Sequence, residues 1–162
     1  DMVDITERQL GMLYTLNGLM VVALQIPITR GMSRVSLTSQ MALGALIYAV
    51  GYTSIGFCDR FGLFVPAVAV ITFGEIIMSP AALALTSRLA PANRTGRYMG
   101  IFGFAVAAGW SFGPLIGGTI LDVFGHIHPL AWSLIASMAI VPSIGYWVFA
   151  MRLPKRYDLP ET

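Results

Sequence analysis

The chain has 162 residues, 56% hydrophobic and only 11% charged, with a mean hydropathy of +0.74, whereas soluble domains carry roughly 25% charged residues. A net charge of +2 is too small to point to nucleic acid, and the single cysteine, Cys58, can form no internal disulfide. This composition is that of a polytopic membrane protein, so charge-free runs are measured against the roughly 20 residues a helix needs to cross the hydrocarbon core.

The chain opens DMVDITERQ, with neither an initiator Met nor a basic n-region, so no signal peptide is visible and one part of a longer protein is expected. Thr6 with Gln9 three residues on forms a capping box that starts the first helix. Five spans follow, over about 9–29, 35–58, 61–87, 98–121 and 130–151 of a single unit, 1–162. The second carries Gln40, Gly44, Tyr48 and Gly51 along one face. Glu75 is the only charge inside the third. In the fourth, Ala105, Gly109, Gly113 and Gly117 fall every fourth residue, a stripe that lets two backbones approach closely, and Pro114 beside it bends the rod. The residues VFGHIHP read as loop because Gly125 and Pro129 punctuate them. The fold class expected is all-α, a membrane helix bundle.

Orientation follows from the cations, because short loops rich in Lys and Arg stay on the cytoplasmic side. Arg30, Arg34, Arg88, Arg94, Arg97, Arg152, Lys155 and Arg156 lie on one side, and only Arg8 and Arg60 on the other, with Asp1, Asp4, Glu7, Asp59 and Asp122. The amino end is therefore expected outside and the carboxyl end in the cytoplasm of a multi-pass protein of the cell membrane. Trp132, Tyr146 and Trp147 fall where the two interfacial belts are expected. The sequon Asn93-Arg94-Thr95 lies in the most basic loop, away from the glycosylation machinery, and is read as inert.

Gly100, Gly109, Gly113-Pro114 and Gly117-Gly118 match the spacing of the antiporter signature of the major facilitator superfamily of secondary transporters, and the chain resembles that superfamily over nearly its whole length. The third span adds GEIIMSP, Gly74 to Pro80, followed by LAP at Leu89 to Pro91 and GRYMG at Gly96 to Gly100. These look like the tenth helix and following loop of proton-coupled members, drug exporters and oligopeptide transporters among them. The loop PITRGMSR keeps Arg30 and Arg34 but lacks the acid that latches the cytoplasmic gate in the first half of such proteins. The resemblance therefore implies helices eight to twelve of a twelve-helix fold, with the stripe as the packing seam of helix eleven, a gate-loop role for Arg30 and Arg34, and an amino-terminal half as partner.

Glu75 is the leading candidate for chemistry. Burial disfavours a charged carboxylate, so an acid in mid-span can bind and release a proton as its surroundings change. Thr72, Glu75 and Ser79 share a face, loosened by Pro80; a structural role paired with an Arg or with Ser79 is the alternative. Asn17 and Gln25 either line the same cavity or bond neighbouring helices, and Tyr48 and Tyr52 either stack on an amphipathic substrate or simply pack. His126 and His128 lack partners at metal-ligand spacing other than Asp122, so no metal is expected.

Nucleotide-loop, H-E-x-x-H and G-x-S-x-G motifs are absent, so neither an enzyme nor a cofactor is expected. The expected function is proton-coupled export of small amphipathic molecules by alternating access, in membrane lipid with the proton as coupling ion. Proton-coupled uptake of peptides or other solutes is the alternative within transport, and a non-transporting structural or assembly role the alternative outside it.

Overall fold

A computed structural model describes residues 5–159, as an all-helical bundle. The helices are α1 (Glu7–Gly31), α2 (Leu37–Ile55), α3 (Phe61–Leu89), α4 (Thr95–Phe124), α5 (His128–Arg152) and the short α6 (Lys155–Asp158). Asp1 and Asp4, assigned above to the outer side, fall outside the described residues. The capping box at Thr6 forms in both directions: the Gln9 amide donates to Thr6 Oγ1 and the Thr6 amide to Gln9 Oε1.

Helices α1, α3, α4 and α5 are long and apolar enough to cross a bilayer on their own. Helix α2 is only 19 residues long, with Thr38, Ser39, Gln40, Thr53 and Ser54 in its terminal turns. Thr38 and Gln40 are buried where α3 and α5 flank the helix on two sides, whereas Ser39 is exposed. Two glycines let α2 and α3 nearly touch. A Cβ on Gly44 would meet Met78 Cβ at 2.7 Å and the Gly74 carbonyl oxygen at 2.8 Å, and one on Gly51 would meet the Ile71 amide nitrogen at 3.0 Å. The α5 contact is fixed by Ser143 Oγ, which donates to the Ala42 carbonyl at 2.9 Å, and by Gly56 set against Pro129 and Trp132.

The core lies along this seam, with Leu37, Met41, Ala81 and Leu85 clustered at one end. Outward faces are apolar: Val22 is 81%, Trp110 78% and Phe104 77% exposed. In water such faces would be a liability, but lipid is the solvent they fit.

The loop expected at VFGHIHP shrinks to three residues, Gly125 to Ile127. Pro129 stands at the start of α5, where its missing amide costs nothing, so it begins a helix instead of breaking one.

Gly44 and Gly74 form a close packing seam among the described helices. Nothing lies within 4 Å of a Cβ built on Gly100, Gly109, Gly113, Gly117 or Gly118, and no residue of α4 is buried. Among the described residues no helix fills that stripe.

Candidate functional site

Helix α1 leans on α3 with Asn17 turned toward it. The Asn17 Nδ2 group donates to Thr72 Oγ1 at 3.0 Å and to Glu75 Oε2 at 3.0 Å. Thr72, fully buried, donates its own proton to the Val68 carbonyl at 2.9 Å, which fixes its hydroxyl as an acceptor toward Asn17. Thr72 and Glu75, read from one face of the third span, and Asn17, read from the first, thus form one polar cluster in mid-helix.

Glu75 is half-buried and has no arginine near it: the only ion pair among the described residues joins Asp59 and Arg60. Its partner is a neutral amide. An amide suits a proton-exchanging acid because it can serve either state, donating through N–H to a carboxylate or accepting at its carbonyl from a carboxylic acid. A guanidinium would favour the charged state alone.

Ser79 and Gln25 stand apart from this cluster. Ser79 is exposed and makes no hydrogen bond to Glu75, whose carboxylate is engaged by α1 instead. Gln25 lies eight residues beyond Asn17, about 80° further round the helix, and is exposed.

Tyr48 of α2 packs its ring against Gly74, the neighbour of Glu75. Tyr48 stacks on Tyr52 at 6.0 Å between centroids, and Tyr52 on Trp132 of α5 at 6.5 Å, with interplanar angles of 11° and 7°. This ladder forms one wall of a groove of about 830 Å³. Gly109, Gly113, Pro114, Gly117 and Gly118 line the groove from α4, and Trp110 and Tyr146 also reach it. The stripe therefore supplies room beside an aromatic wall. Trp132, expected in an interfacial belt, also lines that wall; a contact between α2 and α5, three helices apart in the chain, leaves no periodic trace in the sequence. Gly100 does not line the groove.

At the end of the bundle where α1 stops, Arg30 is exposed and Arg34 lines a separate cavity of about 550 Å³. Nearby is a cap that sequence reasoning missed. Asp158 of α6 accepts from the Thr38 amide at 2.8 Å and from its hydroxyl at 2.7 Å, and Arg88 donates to the Leu159 carbonyl at 2.6 Å.

At the other end, Cys58, Asp59, Asp122, His126 and His128 face a shared open cavity, yet no three of the described His, Cys, Asp or Glu side chains are placed to hold a metal ion. Partial burial and the Asp59 carboxylate push the Cys58 thiol up from its ordinary range.

The family model described as Major Facilitator Superfamily matches residues 2–162. Among curated relatives, the uncharacterized MFS-type transporter YttB of Bacillus subtilis (strain 168) is 32% identical over 130 residues, covering 79% of this chain and 32% of that protein. The multidrug resistance protein MdtH of Shigella dysenteriae serotype 1 (strain Sd197) is 24% identical over 89% of this chain and 37% of its own length. A crystal structure of a POT family transporter in complex with a thioalcohol conjugated peptide superposes with a TM-score of 0.69 at 18% identity, over 85% of this chain and 30% of that one. That likeness is one of fold. The chain spans about a third of the length of these relatives.

Proposed function

Because the chain belongs to the major facilitator superfamily, we propose that it forms helices eight to twelve of a secondary transporter that exports small amphipathic molecules in exchange for protons. Its partner is an amino-terminal half, against which it rocks by alternating access around a site near the bilayer midplane. The observation that carries the reading is the Asn17–Glu75 contact, an intramembrane acid held by a neutral amide and free of any described ion pair. Intramembrane acids are costly and mark ion pathways.

In this reading Glu75 takes up a proton on one side and releases it on the other, while Asn17 follows the change by exchanging donor for acceptor. Thr72 accepts only from the donating orientation of the Asn17 amide, so it favours the orientation that donates to Glu75. The aromatic groove takes the flat apolar part of the cargo, and the empty glycine stripe leaves room for it or for the partner half. Arg30 and Arg34 belong to the cytoplasmic gate loop, and eight cations against two support an outer amino end. The similarity to MdtH, a multidrug resistance protein, supports export. The GEIIMSP segment, with its likeness to peptide transporters, favours coupled uptake as the second reading.

The test is transport in liposomes under an imposed pH gradient, with an amino-terminal half supplied. Solute and proton fluxes should be coupled, and Glu75→Gln should uncouple them while insertion is preserved. An unchanged proton dependence in that variant would remove Glu75 from the mechanism. The direction in which solute moves as the gradient collapses decides between export and uptake.

A further inference from the structure

We propose that the cavity between the end of α1, the start of α2 and the end of α3 binds the headgroup phosphate of an anionic glycerophospholipid. The site needs neither transport nor proton coupling, only that the chain spans a bilayer.

Two arginines reach the cavity of about 550 Å³ from different elements, Arg34 from the α1–α2 loop and Arg88 from the last turn of α3. No described carboxylate pairs with either, the one described ion pair being at the far end of the bundle. Among the described residues the acid of this layer is Asp158, and both its oxygens are committed to Thr38. Arg88 gives one nitrogen to the Leu159 carbonyl, which steers its guanidinium and leaves its other donors for a ligand. Thr29 and Ser33 add hydroxyls at the rim. Planar guanidinium groups with several fixed donors suit a phosphate.

The start of α2 is not the source of the attraction. Its first amides are already taken: Ser39 donates to Ser36 Oγ and Thr38 to Asp158. The two side-chain charges carry the site.

A lipid fits better than a soluble anion because the cavity is amphipathic. Leu37, Pro80, Ala81 and Ala84 make an apolar floor beneath the arginines. The cavity also lies where the spanning helices end, the level of the headgroups, and basic pockets between spanning helices are suited to anionic headgroups.

The experiment uses the chain purified in detergent, titrated with phosphatidylglycerol, phosphatidylcholine or inorganic phosphate, and read by native mass spectrometry together with the shift in melting temperature. One phosphatidylglycerol should be retained per chain and phosphatidylcholine lost. Arg34→Gln should weaken retention about fivefold, the worth of one interfacial charge. Arg34 is an exposed loop residue, so an unchanged melting temperature of the lipid-free variant verifies its fold. Arg97→Gln, at the start of α4 and outside the cavity, should bind like the parent, and so should Glu75→Gln, which separates this site from the transport reading. Equal retention of phosphatidylcholine, or wild-type retention by Arg34→Gln, would overturn the proposal. Displacement by equimolar inorganic phosphate would do the same by identifying a soluble anion as the occupant.

Discussion

The Asp158 carboxylate caps Thr38 with both oxygens, one on the backbone amide at 2.8 Å and one on the side-chain hydroxyl at 2.7 Å, across 120 positions of chain. Thr38 is fully buried and Asp158 is 8% exposed, so neither group has water to fall back on. Truncating the acid strands two buried donors. Asp158→Ala should therefore cost about 2 kcal/mol of stability, and Asp158→Asn less, because one acceptor survives. Thermal unfolding in detergent reads both. Combining Asp158→Ala with Thr38→Val should recover the share that belongs to the hydroxyl.

Glycines at helical spacing should behave in two opposite ways. Gly74→Ala places a methyl 2.8 Å from the Gly44 carbonyl oxygen, which is backbone and cannot swing aside. Prising α2 from α3 should cost about 1–3 kcal/mol. Gly113→Ala meets nothing within 4 Å and should leave the melting temperature of the chain unchanged. Larger groups at Gly113 should narrow the groove, so Gly113→Leu should impair transport by the complete transporter without unfolding this chain.

Asn17→Ala removes the amide shared by Thr72 and Glu75. Interhelical hydrogen bonds in membranes contribute on average about 0.6 kcal/mol, so the loss of stability should be small. A much larger fall in proton-coupled flux is expected. Parallel modest losses in both would assign Asn17 a packing role only.

Cys58 offers a test of topology. It is the sole cysteine, in the loop between α2 and α3. A membrane-impermeant maleimide should label it from outside intact cells, and labelling only after lysis would reverse the proposed orientation. Its thiol is pushed up by partial burial and by Asp59. The thiolate is the reactive form, so labelling near neutral pH should be slower than for an unperturbed thiol, with the deficit closing as pH rises. Asp59→Asn should speed it.

Hydropathy and capping residues carry the helices in the sequence, because a charge-free run and a Thr6–Gln9 box act locally. Glu75 was legible as a lone acid, and Thr72 as its neighbour on the same face. That Asn17 would meet them depends on the rotation of α1 against α3, which no single helix encodes. The same rotation turns Gln25 outward. The ladder from Tyr48 to Trp132 and the cap of Thr38 by Asp158 depend on packing across long stretches of chain, so the sequence held the residues but no sign of their partners. A four-residue helix after a proline is also too short for any periodic signal.

Helix α4 buries none of its 30 residues, whereas α2 is gripped on two sides and tied down at its first turn. Within this chain, displacing α4 would strip little apolar surface, and displacing α2 would tear open the tightest contact in the bundle. Mechanically the chain divides into a stiff block, α2 with α3 and α5, and a lightly moored rod. The rod is held at two short joints, the turn from Pro91 to Arg94 and the turn from Gly125 to Ile127, each closed by local backbone hydrogen bonds. Any large swing of α4 concentrates its dihedral change in those few residues, so stiffening either joint should slow the swing without altering the block.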